Sequence, residues 1–308
     1  MKIRKYHALS VAEKCKSIIA SNWQCRLNTI KADAKGSKDD IHTSVVKYIL
    51  NKGQPYIWIP EQDLHNMNAL IDNRSSVAIA SPSHGHLAKV LALRNKVPIR
   101  VALGGELLPI KDEKVPLAAK SVKEIILSDR QVIIGSVRAV SGVLSSCDLA
   151  TTSRSENIGE LLDERVKYCI YRFNIDSCML IDGSGLKFEV DMEEMRDSKE
   201  DPLAEFSAML IDGINQSKTR RSALGLFCYN YLNTYAKDVY MLSIDCKGFD
   251  VVGMVPLAGG HAEYHWEELR FSLQEEVDSI SSFCQQLVEM EEEAVIKVSE
   301  NSGLMHHI

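Results

Sequence analysis

The spacing of apolar residues changes along this chain, and the changes predict its elements. Residues 11–20 (VAEKCKSIIA) place Val11, Cys15, Ile18 and Ile19 on one face of a short amphipathic helix. Over residues 23–30 the period falls to two. Trp23, Cys25 and Leu27 alternate with Gln24, Arg26 and Asn28, as in a half-buried strand. A polar turn (KADAKGSKDD) follows. Thr43–Leu50 and Pro55–Ile59 then read as two strands joined at Asn51-Lys52-Gly53, where Gly is available for a positive φ. Asp63 caps a helix whose inner face carries Leu64, Met67, Leu70 and Ile71. Strands follow at Ser76–Ala80 and Pro98–Leu107, the second with Gly104-Gly105 marking a bulge or a close backbone approach. Asp112 opens a helix through about Ser128.

Residues 135–157 are rich in Ser, Thr and Gly and read as an insertion or mobile loop. Val166–Phe173 and Ser177–Ile181 read as strands, Gly183-Ser184-Gly185 as a turn, and Lys187–Val190 as a further strand. The charged run 191–201 marks a domain boundary. Asp201-Pro202 then starts two helices, about 203–215 and 218–234. Strands at 239–244, 249–255 and Tyr264–Leu273 lead into a long acidic helix, 274–297. The chain is thus an α+β protein. It has a tail (1–10), a first domain (11–195) with a Ser-rich loop (131–157), a small α/β domain (196–298) in the order α-α-β-β-β-α, and a flexible tail (299–308).

Composition narrows the function without naming it. Hydrophobic residues make up 45% of the 308 and charged residues 25%, as in a globular protein. No apolar run approaches the roughly 20 residues of a membrane span. A net charge of −6 argues against a dedicated nucleic-acid binder. That average conceals two blocks. Residues 84–123 hold eight basic residues against three acidic, and 262–300 hold eleven acidic against two basic. A solvated face explains such runs by default. The functional reading gives the basic block, with Lys89, Arg94, Lys96 and Arg100, an anionic ligand to clamp. The eight cysteines show no C-x-x-C spacing and read as reduced core residues. The basic N-terminus (MKIRKYHALS) lacks the apolar core of a secretory signal. His42 reads as structural, and His84 and His86 as a polar loop. No Ser-His-Asp set, phosphate-binding Gly loop or carboxylate pair stands out.

The order of the first elements, with the run Asp63–Ala80 (DLHNMNALIDNRSSVAIA), Arg100–Leu108 and Asp112–Arg130, resembles the FMN-binding split-barrel superfamily typified by pyridoxamine-phosphate oxidase. Ser207–Leu224 and Val239–Val251 resemble the small domain of its haem-associated branch. That branch holds the HugZ-type haem oxygenases, the plant haem oxygenase-like Z proteins and the plastid glutamyl-tRNA reductase-binding protein. The resemblance covers roughly residues 11–295, less the loop. It implies a split β-barrel at the N-terminus, a homodimer with ligand clefts between subunits, and haem binding with oxidative haem degradation in tetrapyrrole metabolism. Two alternatives stand beside it. One is a non-catalytic regulator gripping a tetrapyrrole-pathway enzyme, and the other is an FMN-binding oxidoreductase, for which no complete flavin-phosphate motif is visible. By resemblance the compartment is the chloroplast, with the N-terminus the stub of a transit peptide and a cytoplasmic form as the alternative.

The same resemblance names site residues. His65 would contact a cofactor or ligate iron, against the reading in which it fixes its helix to the barrel. Arg94, Lys96 and Arg100, with Arg172 from the Tyr168–Phe173 strand, would meet haem propionates or an FMN phosphate. His306 and His307 would be axial ligands from the tail. The branch's H-M-N-x-D-H motif is replaced here by Gly213-Ile214-Asn215-Gln216-Ser217-Lys218, which keeps only the asparagine, and its Gly-Phe-Gly turn by Gly183-Ser184-Gly185. Chemistry that rests on those lost histidines is therefore not expected.

Overall fold

The computed structural model describes residues 8–83, 85–111, 113, 115–135, 137–144, 154–163, 165–257 and 263–301. Helix α1 (Val11–Ala20) starts with a reciprocal cap. The Ser10 hydroxyl accepts from the Glu13 N–H, and the Glu13 carboxylate accepts from the Ser10 N–H. Strands β1 (Gln24–Asp33), β2 (Gly36–Asn51) and β3 (Gln54–Pro60) form an antiparallel meander. Lys52 and Gly53, both at positive φ, make the two-residue turn between β2 and β3. Helix α2 (Leu64–Ile71) then leads to β4 (Arg74–Ala80), which pairs with β1 rather than β3. Helix α3 (Gly85–Leu93) and β5 (Arg100–Pro109) follow.

The 14-residue β6 (Tyr168–Ile181) pairs with β5 along its length and with β3 through Tyr56–Pro60. That second pairing closes six strands into a barrel in the order β3-β2-β1-β4-β5-β6, so no barrel edge is left open. β7 (Lys187–Val190) hangs from β6 as a hairpin. Where two strands were expected there is one, because a bulge absorbs Asp176 opposite Gly104-Gly105. Gly105 must be Gly: a Cβ there would lie 1.9 Å from the Asn174 carbonyl oxygen. The barrel core is built from alternate strand residues, among them Leu27, Tyr48, Ile57, Val77, Val101, Leu103 and Phe173.

The segment 131–157 departs from expectation. Helix α4 (Val115–Gly135) runs past residue 131, α5 (Val137–Leu144) follows, and α6 (Arg154–Gly159) closes the segment before a single 3-10 turn (Glu160–Leu162). The reason is packing. Val122 of α4 and Ile158 of α6 cover Trp23, Ile49, Trp58 and Ile170 on the outer barrel wall, while Val140 and Val143 of α5 enter the core of the C-terminal half.

After α7 (Met192–Asp197) come α8 (Ala204–Gln216), α9 (Lys218–Leu232), the antiparallel strands β8 (Val239–Asp245), β9 (Gly248–Pro256) and β10 (Tyr264–Ser272), and α10 (Ile280–Asn301). The observed order from α8 is α-α-β-β-β-α. The acidic stretch expected to open the last helix lies before it, and Ser279 and Ser282 exchange hydrogen bonds at its start. Four phenylalanines, Phe227, Phe249, Phe271 and Phe283, centre this core, with the Phe249 and Phe271 rings 5.1 Å apart. Leu87, Val90 and Leu91 of α3 join it with α5. The apolar core of the C-terminal half therefore recruits two helices that precede the charged run at 191–201. No described helix is long and apolar enough to cross a membrane. Among the described residues, Cys15, Cys25, Cys178, Cys228 and Cys284 are buried, and Cys169 and Cys246 are half-buried.

Candidate functional site

Helix α2 lies across one end of the barrel and fills it with polar groups. Asp63 caps the helix by accepting from the His65 N–H at 2.9 Å. His65 is fully buried. Its Nδ1 is 2.8 Å from Thr29 Oγ1 of β1, and its Nε2 is 3.0 Å from Ser44 Oγ of β2. Asn68, one turn on, donates to Thr29 Oγ1 and accepts from the Ala32 N–H. Burial, and to a lesser degree the neighbouring His42, lowers the His65 pKa to about 4 against the opposing pull of Asp63, so the ring is neutral near pH 7. Both ring nitrogens are engaged by hydroxyls of the barrel wall. The geometry fits a histidine that fixes the helix to the barrel, and it offers no open face to a large cofactor.

The basic block does not converge. Arg94, at the end of α3, donates to Glu268 Oε1 of β10 at 2.7 Å, so the acidic block neutralises it. Lys96 donates to Ser184 Oγ and lines a cleft of about 290 Å³ that also holds Asp182, Asp250 and Glu268. Arg100 stands exposed at the start of β5, and Lys89 is exposed on α3. Closeness in sequence gave these cations no common target, and the expected clamp of Arg94, Lys96 and Arg100 is not formed. His86 is exposed and stacks on Tyr240 with centroids 6.1 Å apart. Asn215, the one residue kept from the expected histidine motif, is buried and brackets Met241 of β8. It accepts the Met241 N–H at 2.7 Å and donates to its carbonyl at 2.9 Å, so its role is to pin α8 to the sheet. His84, His306 and His307 lie outside the described residues.

Arg172 has a different setting. Strand register places Ile49 of β2 opposite Tyr56 of β3, Tyr56 opposite Arg172 of β6, and Arg172 opposite Leu108 of β5. These four side chains form one row across the outer barrel wall and line a cleft of about 390 Å³, within the size range of small-molecule sites (about 300–1,000 Å³). Leu117, Ala118 and Ser121 of α4 supply its other side, and Ile110 and Lys111 its floor after β5. Neither Arg172 nor Lys111 meets a carboxylate among the described residues. The cleft thus combines apolar walls, one phenol and two cations that meet no counter-charge among the described residues. Tyr56 carried no signal in the sequence and Lys111 only that of the basic block, because the closure of β3 onto β6 and the pairing of β5 with β6 are what bring them beside Arg172.

In sequence, no family model and no curated protein matches the chain. Solved structures do match. A heme binding protein from Mycobacterium smegmatis superposes with a TM-score of 0.55 at 18% identity, over 94% of this chain and 99% of that one. Atu2129 of Agrobacterium tumefaciens, of unknown function, matches over the same shares with a TM-score of 0.37 at 16% identity. ChuZ of Campylobacter jejuni matches over 61% of this chain and 62% of its own, with a TM-score of 0.38 at 11% identity. Over nearly its whole length, then, the chain has the fold of the Mycobacterium smegmatis protein, here a closed six-stranded barrel joined to a helix-covered three-stranded sheet.

Proposed function

We propose that this protein binds haem in the cleft between β2, β3, β5, β6 and α4. The row Ile49–Tyr56–Arg172–Leu108, flanked by Lys111, carries the reading. A porphyrin needs apolar contact over its faces and cations for its two carboxylates, and this wall offers both. Tyr56 adds a phenol, a ligand type suited to haem iron. The heme binding of the Mycobacterium smegmatis protein that shares the fold supports the reading. Bound haem supplies dioxygen and electron-transfer chemistry. The chain's own contribution is to seat the ring against Leu108 and Leu117 and to pair the carboxylates with Arg172 and Lys111. Among the described residues the cleft lining holds no carboxylate or histidine.

The experiment is a titration of the full chain with haem and, separately, with FMN. A Soret shift at micromolar haem is expected, with affinity at least tenfold weaker in the Arg172→Ala, Lys111→Ala double variant. Ascorbate added to the complex should leave the Soret band in place, and its loss would assign haem degradation instead. No Soret change, or an unaltered affinity in the double variant, would remove haem from this cleft. Saturable FMN binding would move the assignment to a flavin. We further propose that two copies associate across the outer face of β2, where Ile41 and Val45 are 62% and 57% exposed. Sedimentation of the wild type against Ile41→Lys, Val45→Lys reads this directly, a monomeric wild type being the adverse result.

A further inference from the structure

We propose that His42, Asp63 and His65 form a site for one divalent transition-metal ion of the zinc class, at the barrel end that α2 covers. Two pieces of chain supply them: His42 comes from β2, and Asp63 and His65 from the cap and first turn of α2. One ligand atom from each lies within 4.8 Å of the other two. His42 Nε2 and Asp63 Oδ1 are 3.3 Å apart, close to the roughly 3.4 Å edge of a tetrahedron with metal–ligand bonds of about 2.1 Å. Two imidazoles and one carboxylate are a donor set that zinc and its neighbours favour over calcium or magnesium.

Supporting contacts are already in place. A ligating histidine usually gives its second ring N–H to an oxygen that fixes the ring. Thr29 Oγ1 sits 2.8 Å from His65 Nδ1, and Asn68, itself oriented by the Ala32 N–H, holds that hydroxyl. With Nδ1 so held, Nε2 faces β2, where Ser44 Oγ at 3.0 Å is the group to move aside or to become a further ligand. Asp63 Oδ1 already accepts the cap hydrogen bond and faces His42 Nε2, so the oxygen that would ligate is held in place. His42 and Asp63 keep 23% and 21% of their side-chain surface exposed, so an ion can enter from solvent while His65 stays buried. The remaining coordination positions would be taken by water.

The test uses the full chain without haem. Cobalt(II) and zinc are added in turn, cobalt read by its visible ligand-field bands and zinc by competition. One equivalent is expected to bind, with at least tenfold weaker binding in His42→Ala and in Asp63→Asn, and unchanged binding in His86→Ala. Both reporter variants replace partly exposed groups, and circular dichroism checks that they fold. Absence of a stoichiometric cobalt spectrum at micromolar metal overturns the site, as does equal binding by wild type, His42→Ala and Asp63→Asn. Loss of haem binding alone would leave this result untouched.

Discussion

The two halves of the molecule solve the problem of an interior in opposite ways. The barrel is narrow and closed, and at the α2 end its interior is polar: Thr29, His65 and Asn68 are all buried and bonded to one another or to backbone. The C-terminal half is an open three-stranded sheet whose core is dry, with four phenylalanines meeting under helices from both ends of the chain. A closed barrel pairs every strand of its wall, so its end can be occupied by groups chosen for hydrogen bonding. An open sheet relies chiefly on apolar burial to hold its helices, with Asn215 adding the two hydrogen bonds that pin α8 to β8. Candidate chemistry accordingly gathers on the barrel, at its α2 end and on its outer wall.

The largest effect is expected in the dry core. Phe249 has no exposed surface and touches the rings of Phe227, Phe271 and Phe283. Phe249→Ala should lower stability by about 4 kcal/mol through lost burial and the cavity left behind. Urea denaturation followed by tryptophan fluorescence reads it, and Trp266 on β10 reports on this half while Trp23 and Trp58 report on the barrel wall. A loss under about 1 kcal/mol would show that this core collapses around the gap and is not close-packed.

The barrel end should respond to chemistry more than to volume. Thr29→Val keeps the shape but leaves the Asn68 amide and the His65 ring without their shared hydroxyl. About 2 kcal/mol should be lost, since each buried group left unpaired carries a desolvation penalty. Thr29→Ser, which keeps the hydroxyl, should lose much less, mainly a methyl's worth of packing. Equal denaturation midpoints for the two variants would contradict the polar-plug account.

Legibility in the sequence follows the same division. Period-two alternation marked β1, and the turn at Asn51-Lys52-Gly53 was readable because Gly53 could take the positive φ that it adopts. Elements from α8 to β10 were legible to within a residue or two, since strongly apolar segments alternate there with clear turns. Helix α5 was hidden. Its Ser and Gly residues weaken helical propensity, and it is held by Val140 and Val143 packing on a core assembled from distant sequence. The first half of β2 was hidden too, because Gly36–Ile41 is exposed or half-exposed and shows no apolar alternation. At the candidate sites, Arg172 was visible as a charge within an apolar strand. Its neighbour Tyr56 was not, and Lys111 showed only as one charge of the basic block, because barrel closure and register are long-range facts. The linear cluster around Arg94 and Lys96 misled for the same reason, as Glu268 meets Arg94 across 174 residues of chain.

Between the halves sits a buried ionic clasp, and its pH response should be the smallest effect. Arg154 of α6 donates to Asp129 of α4 at 3.2 Å and to Glu205 of α8 at 2.5 Å, so one guanidinium joins the barrel's helical cover to the C-terminal bundle. Burial raises the Asp129 pKa, Arg154 opposes that rise, and the Glu205 charge adds to it. The native state therefore holds a proton more tightly than the unfolded chain, whose carboxyl titrates near 3.8. Asp129 contributes its full stabilisation below that value, and the contribution is lost as pH rises through the higher native pKa. Exposed carboxylates with lowered pKa values, such as Asp33 and Asp163, act in the opposite sense and at pH values below 3.8. The two windows are thus separable. Denaturation midpoints taken stepwise upward from pH 3.8 should fall less steeply in Asp129→Asn than in the wild type. The difference should be modest, because Arg154 offsets much of the burial. An Asp129→Asn profile parallel to the wild type across that window would mean that Asp129 enters the clasp already ionised, with Arg154 fully compensating its desolvation, and that the join between the halves is electrostatically as settled as the core on either side of it.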